Sequence, residues 1–347
     1  TLHGRSALNG GISIFQKMPE YDLGFEVRVG IGDHGQRLAQ AVANIPVSDE
    51  FGIRVGALKR KRDGFLKDTK GGTYNNVDSQ AYRMTAKYVP NDVLTFRFSG
   101  TYDVDDTNSG GAFKSNVFVP LDQQTGEVEG DLQFWTPTHL STFGDLADDY
   151  SRREIVGLSG TTDLTLTDRL DITAISGYRW YTACQAGDID GTPTNIIGYD
   201  LCNEGEQFSQ EVRLNISDLG PFEGFIGGSY FTASNAQTTA LGSDERAMAL
   251  LLSGALHNFA PIGLTNNQIN AALGATAAYL KPFHLDQRRQ TADIETYDIF
   301  ADGTFHISDR LQAFVGGRIT WDEKDVSLQV TTPDGVSRLT GAGLLMT

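Results

Sequence analysis

Long apolar runs are missing from this chain. Although 39% of its 347 residues are hydrophobic, no stretch approaches the roughly 20 apolar residues that a membrane-spanning helix needs. A helical membrane protein is thereby excluded. A membrane barrel is not, because its strands alternate and never register as hydrophobic runs. Positive charge is scarce as well: 28 Lys and Arg against 44 Asp and Glu leave a net charge of −16. Nothing here would neutralise a phosphate backbone, so nucleic acid is excluded as a partner. The histidines, at 3, 34, 139, 257, 284 and 306, form no HExxH and no close Cys/His grouping, so no metal centre is expected. Gly110-Gly111 and Gly227-Gly228 lack the strand-to-helix setting of a phosphate loop. Asp188 and Asp190 could offer oxygens to calcium, but the remaining loop spacing is absent and a solvated acidic loop is the better reading. No catalytic constellation stands out. The chain reads as a non-enzyme without a cofactor, a barrel phospholipase being the weaker alternative.

Cysteine is almost absent. Cys184 and Cys202 bracket a polar stretch, residues 185–193. They are either free thiols or a disulfide closing a loop, which would suit an oxidising exterior and add roughly 3 kcal/mol on the chain-entropy model. An initiator Met and a signal peptide are also lacking, so both ends are expected to be truncated.

What is present is period-two alternation, many times over. Phe25, Val27, Val29 and Ile31 alternate with Glu26, Arg28 and Gly30. Tyr82, Met84, Ala86 and Tyr88 alternate with Arg83, Thr85 and Lys87. Leu94, Phe96, Phe98, Gly100 and Tyr102 alternate with Thr95, Arg97, Ser99, Thr101 and Asp103. Phe208, Gln210, Val212, Leu214 and Ile216 alternate with Ser209, Glu211, Arg213 and Asn215. Each segment carries one apolar and one polar face on a single strand. About eleven strands are expected, near 24–32, 37–46, 51–67, 80–89, 93–105, 154–166, 170–182, 206–217, 224–233, 292–307 and 311–326. Short polar turns alternate with long excursions near 69–79, 104–153, 183–206 and 233–291, the one-sided asymmetry of outer-membrane barrels. Several strands exceed the ten or so residues needed to cross a bilayer at a tilt. Tyr88, Tyr102, Tyr178, Trp180, Tyr181 and Trp321 near strand ends are expected to form an interfacial girdle. Two short helices are expected inside the last excursion, over 244–256 and 266–280, the second capped by Thr265; a small inserted helical domain is the alternative. An open sheet of this size leaves two edges that lipid cannot satisfy, so about eleven further strands are expected if the whole is a 22-stranded barrel.

Four ordered segments carry a family resemblance. Thr1-Leu2-His3-Gly4-Arg5-Ser6-Ala7-Leu8-Asn9-Gly10-Gly11-Ile12-Ser13-Ile14 resembles the end of the plug domain of TonB-dependent receptors, with Lys17-Met18-Pro19 as the step into the barrel. His3, Ser6 and Asn9 depart from the pattern. Asp63-Gly64-Phe65, Phe208-Ser209-Gln210-Glu211-Val212-Arg213-Leu214, and the pair Thr296–Phe300 and Gly316–Thr320 resemble later family segments.

The resemblance implies an all-β fold, an antiparallel transmembrane β-barrel fragment. Residues 1–19 would be the end of the plug, and 20–347 the first half of the barrel in the outer membrane of a Gram-negative bacterium. It implies energy-coupled import of a scarce nutrient, a ferric siderophore first, with haem, a cobalamin-like solute or an oligosaccharide open. Iron would enter only as part of a transported chelate. The partners would be outer-membrane lipid, the solute, and the inner-membrane TonB complex acting on an upstream segment. A passive porin or surface-binding barrel is the alternative, and a soluble all-β interaction protein the third. Within this frame Arg5 is expected to meet a wall carboxylate, Glu211 first and Glu26 second, because a buried arginine needs a partner; a solvated Arg5 in a water-filled gap is the alternative. Phe134, Trp135, Arg179 and Tyr181 are candidate solute contacts, since aromatics and arginines hold chelate ligands well. Loop packing for Trp135 and a girdle place for Tyr181 are the plainer alternatives.

Overall fold

The computed structural model describes residues 16–68, 73–108, 125, 141–142, 150–189, 196–253, 265–308 and 310–341. Eleven strands form one sheet: β1 Gly24–Gly32, β2 Gln36–Pro46, β3 Phe51–Arg62, β4 Val77–Asn91, β5 Leu94–Thr107, β6 Tyr150–Thr167, β7 Leu170–Asp188, β8 Ile197–Leu219, β9 Phe222–Ser243, β10 His284–Ser308 and β11 Leu311–Thr331. Their spatial order is their chain order, and each pairs antiparallel with its sequence neighbour. The number and order of strands are those the alternation predicts.

Register explains why the alternation survives from strand to strand. Val55 faces Met84, which faces Gly100, which faces Leu158, Tyr178 and Phe208 in turn. One residue along, Arg54 faces Thr85, then Ser99, Ser159, Gly177 and Ser209. All apolar sets therefore fall on one side of the sheet and all polar sets on the other.

The apolar side is not packed against anything. Val27, Met84, Val212, Ile226, Ile299 and Trp321 are all exposed, Ile299 at 56%. The buried hydrophobic cluster in the described residues is small, Ile196, Ala247, Leu250 and Ile269, and it lies outside the sheet's apolar face. A soluble sheet of this length would need a dry core. Its place is taken by an apolar belt whose upper rim carries aromatics: Tyr82 stacks with Tyr102, and Tyr230 meets Tyr297 with ring centroids 5.1 Å apart. Just beyond that rim stand carboxylates. The Tyr102 hydroxyl donates to Glu154 at 2.8 Å, Tyr178 to Glu206 at 3.1 Å and Tyr230 to Glu295 at 3.3 Å. On β9 the belt runs from Phe222 to Tyr230, roughly 27 Å along the strand at about 3.4 Å per residue. That matches the ~25 Å apolar band of a membrane barrel once tilt is allowed for.

One end of the sheet carries the tight turns at 47–50, 92–93, 168–169 and 220–221. Ser48 Oγ accepts from the Glu50 and Phe51 amides and Asn91 Oδ1 from the Val93 amide, side-chain mimicry of a backbone turn. At 218–220 Asp218 and Gly220 hold positive φ, 50° and 64°, a conformation natural to Gly and tolerated by Asp. The other end carries the long connections and one tight turn, at 33–35.

Three of those long connections are shorter than the sequence predicts, because the six strands that flank them rise further, whereas the one expected at 69–79 runs over 63–76 because β3 ends at Arg62 and not near 67. The excursion at 183–206 shrinks to 189–196, 233–291 to 244–283 and 104–153 to 108–149. β10 spans 25 residues, roughly 80 Å, where about ten suffice to cross lipid. Above the belt both faces of these strands are polar, as in Asn235–Thr239, so alternation no longer marks them.

The two helices are present: α1 Glu245–Leu252 and α2 Asn266–Leu273, the latter continued by a 3-10 turn at Gly274–Ala278. Asp244 caps the first through the Arg246 and Ala247 amides, and Thr265 forms a capping box with Gln268 at the second, satisfying amides that have no partner within the helix.

Candidate functional site

The polar face carries a strap. Residues 16–22 cross it from β2 to β5, and four wall residues beneath are buried: Asn44, Gly52, Thr85 and Ser99. Asn44 is the principal clamp. Its Nδ2 donates to the Glu20 carbonyl at 2.8 Å and to the Asp22 carbonyl, while its Oδ1 accepts from the Glu20 amide at 2.9 Å. Thr85 Oγ1 donates to the Lys17 carbonyl and Ser99 Oγ to Gln16 Oε1. A β-carbon on Gly52 would sit 3.0 Å from Pro19 Cβ, so glycine lets the strap approach the wall. Lys87 lies over the Tyr21 ring at 5.5 Å. The strap thus climbs from the tight-turn end of the sheet to the middle of β5.

Charge on this face is organised in two zones. In the lower zone three arginines have a carboxylate: Arg97 with Asp163 at 2.6 Å, Arg213 with Glu211 at 3.3 Å, and Arg318 with Asp298 through two hydrogen bonds of 3.0 Å, while Arg54 has no ion-pair partner among the described residues. Asp298 also accepts from Ser229 and Thr320, so its lone pairs are well used. In the upper zone Arg153 pairs with Asp105, and Arg62 donates to the Asn75 carbonyl at 2.7 Å and covers the Phe65 ring. Arg60, Arg83 and Arg179 have no ion-pair partner among the described residues.

Three recesses open along this face. One of 440 Å³ is lined by Arg60, Arg62, Arg153 and Asp105. A second, of 320 Å³, holds Lys17, Arg54, Arg83 and Asp103, and a third, of 360 Å³, Gln16, Asp103, Arg179 and Gln207. The floor of the third is made of Ser99, Thr101, Gly157, Ser159, Gly177 and Ser209. A larger groove of 760 Å³ lies between side chains of the apolar belt, such as Val27, Met84 and Leu158. It offers almost no polar group to orient a ligand, and acyl chains would fill it.

Above the sheet, α1 and the segment after β11 close over β10. Lys281 Nζ donates to the Asp334 carboxylate at 2.9 Å and to the Gly335 carbonyl at 2.7 Å. His284, 1% exposed, lies with Nδ1 3.1 Å from Asp334 and Nε2 3.4 Å from Asp286. Burial pushes the Asp334 carboxyl up, but Lys281, the Leu285 amide and His284 outweigh it and hold it down at about 2. Burial likewise pushes up the Glu245 carboxyl, while the amides of Lys281, Arg338 and Leu339 and the Ser337 hydroxyl bring it below the ordinary carboxylate value. Arg246 joins the two helices, bonding Asp244 on one side and Asn266 and Asn270 on the other.

Of the residues singled out from sequence, Arg179 and Tyr181 both point to the polar face. Tyr181 therefore does not belong to the girdle: its hydroxyl donates to Asn235 Oδ1 at 3.1 Å across β8, whereas its neighbours in the chain, Tyr178 and Trp180, are placed as the girdle requires. Glu211 and Glu26 are on the polar face too, beside Arg213 and Arg28 at 3.3 and 3.4 Å. Arg5, Phe134 and Trp135 lie outside the described residues. Cys184 and Cys202 are bonded, directly opposite each other on β7 and β8, so they staple two strands instead of closing a loop at its base. The strap clamp Asn44 and the unpaired Arg60 and Arg83 escape sequence reading, because a polar residue in an alternating strand carries no mark of its own.

No family model matches this chain, and no curated protein matches it. Solved structures do. The ferric yersiniabactin uptake receptor FyuA from Yersinia pestis aligns over 92% of this chain and 42% of its own, with a TM-score of 0.61 and 13% identity. The ferripyoverdine receptor of the outer membrane of Pseudomonas aeruginosa, solved with ferripyoverdine bound, aligns over 91% and 40% at a TM-score of 0.55 and 12% identity. The siderophore receptor PiuA from Acinetobacter baumannii aligns over 91% and 48% at 0.51 and 11%. The chain spans roughly two fifths to one half of the length of these receptors. At such identities the likeness establishes the fold: an antiparallel β wall of the kind that builds siderophore-receptor barrels.

Proposed function

We propose that this chain is the wall of an outer-membrane barrel that imports a scarce nutrient, a ferric siderophore first among them, in an energy-coupled manner. The fold supplies the frame: an apolar belt that only lipid can cover, and a polar face that a closed cylinder would enclose. The observation that carries the reading is the strap. Residues 16–22 lie on the polar face, where a segment joined to an occluding plug would have to lie. In this reading Arg179 and Tyr181 meet the solute together with Phe134 and Trp135 from the long connection between β5 and β6. Arg5, upstream of the strap, meets a wall carboxylate, Glu211 first and Glu26 second, each of which also has a wall arginine beside it, at 3.3 and 3.4 Å. The TonB complex of the inner membrane acts on the upstream segment.

The test is deletion of the gene in the native host, with uptake of radio-iron chelates measured under iron starvation. Loss of uptake of at least one chelate, restored by complementation and abolished by collapsing the proton-motive force, is expected. Unchanged uptake of every chelate, or uptake that persists without the proton-motive force, would overturn the proposal.

A further inference from the structure

The sign of the charge on the polar face points to the charge of the solute. Resting on the uptake reading, we infer that the solute is an anionic chelate, received at the rim by Arg60, Arg62 and Arg153 and lower down by Arg83 and Arg179. The chain as a whole carries a net charge of −16, yet the upper polar face reverses that sign. Arg60, Arg62, Arg83, Arg153 and Arg179 face Asp103 and Asp105 there, and only Arg153 is neutralised by a carboxylate contact. Arginines that merely hold the wall together look different, as Arg97, Arg213 and Arg318 show, each with an acid beside it.

Placement supports the same conclusion. Arg60 and Arg153 lie in one cross-strand row, through Ser79 and Asp105, and Arg83 and Arg179 lie in another, through Thr101 and Gly157. Each pair is three strands apart, on the order of 14 Å at about 4.8 Å per strand, a span that two guanidinium arms close around a chelate. Between Arg83 and Arg179 the floor is low: a β-carbon on Gly157 would meet Thr101 Oγ1 at 2.8 Å. Guanidinium groups present paired N–H donors that match carboxylate, catecholate and phosphonate oxygens, and a cationic channel between low-dielectric walls draws anions inward.

The experiment measures binding of three probes to the purified complete protein in detergent: a triply anionic ferric tris-catecholate, a neutral ferric tris-hydroxamate and a cationic ferric hydroxamate. The anionic probe is expected to bind at least tenfold more tightly than the others, with an affinity that falls as salt rises. Combined Arg60→Gln, Arg83→Gln and Arg179→Gln is expected to weaken the anionic probe ten- to hundredfold more than the neutral one and to flatten the salt dependence. The matching Lys variants should restore most of the preference. Heat-modifiable mobility on gels checks that each variant is folded. Binding indifferent to charge, or a Gln variant that loses all three probes equally at unchanged salt dependence, overturns this inference and leaves the uptake reading standing. A folded protein that binds no ferric chelate of any charge overturns both.

Discussion

Val212 offers a decisive test of which medium covers the belt. It lies on β8 between Leu214 and Gln210 on the apolar side, opposite Ala174 on β7 and Gly228 on β9, and is 46% exposed. Replacing it with Arg makes opposite predictions for water and for lipid. On a wet surface a half-exposed Val→Arg change falls within about 0.5 kcal/mol of neutral. In the middle of an apolar band, with no counter-charge in reach, it costs about 2–4 kcal/mol, a shift of roughly 30- to 700-fold in the folding equilibrium. Gln207→Arg is the control, because that side chain points to the polar face beside Arg179, and it should stay within about 1 kcal/mol of neutral. The assay is reversible urea unfolding of the complete protein in lipid vesicles, followed by tryptophan emission. A Val212→Arg midpoint within error of wild type would refute the membrane assignment of the belt, whatever the fold resembles.

Three further outcomes follow from the strap, the staple and the cap. Asn44→Ala removes three hydrogen bonds to the strap and leaves two backbone carbonyls to find water; faster amide exchange at residues 16–22, with protection reduced by about 1–3 kcal/mol, is expected, and unchanged protection would show that the clamp is idle. Cys184→Ala with Cys202→Ala should speed proteolysis of the tip between β7 and β8 while leaving global unfolding nearly untouched; the loss should fall below the ~3 kcal/mol of an isolated loop of this size, because the strand pairs below already hold the ends together. The cap should loosen in acid. Asp334 is held at about 2 against an ordinary 3.8, and a depressed carboxyl stabilises above its unfolded value and loses that contribution as pH falls through the folded one. Glu245 is depressed in the same direction. Exchange protection of residues 245–252 and 332–341 is therefore expected to drop between about pH 4 and pH 2, and an Asp334→Asn variant should lack most of that dependence.

The strands in lipid were legible because lipid imposes the signal that sequence displays. Phe96, Phe98 and Tyr102 can alternate with Arg97, Ser99 and Asp103 only if two different media meet the two faces. Where both faces meet water the signal disappears. That is why β9 reads as ending near 233 when it continues to Ser243, and why the ladder from Asn203 to Ile197 reads as loop. The two helices of the cap were legible through Thr265 and the Ala/Leu spacing, whereas the cap's polar contacts were not: His284, Asp286 and Asp334 are apart in sequence, and the chain folds them together through tertiary packing alone. Tyr181 shows the limit at a single position. Beside Tyr178 and Trp180 it looks like another girdle residue, but parity decides, and 181 is on the other face from both. The strap follows the same logic, since Asn44 is unremarkable in an alternating strand until something lies across it.

The ladders carry their irregularities at one end. Register shifts occur between Tyr88 and Asn91, Leu170 and Asp171, Ile216 and Leu219, and His306 and Ser308, all beside tight turns. From those points the pairing of β9 with β10 continues unbroken up to Ser243 and His284. Each hairpin bend is thus where alignment is chosen for everything above it. A hairpin formed one residue out of step would turn every side chain of one strand to the other face, on β11 bringing Arg318 toward hydrocarbon and Ile319 toward water, and no later irregularity among the described ladders would rescue them. Assembly quality control is thereby concentrated in a few two-residue bends, so insertions of a single residue there should be among the least tolerated changes in the molecule.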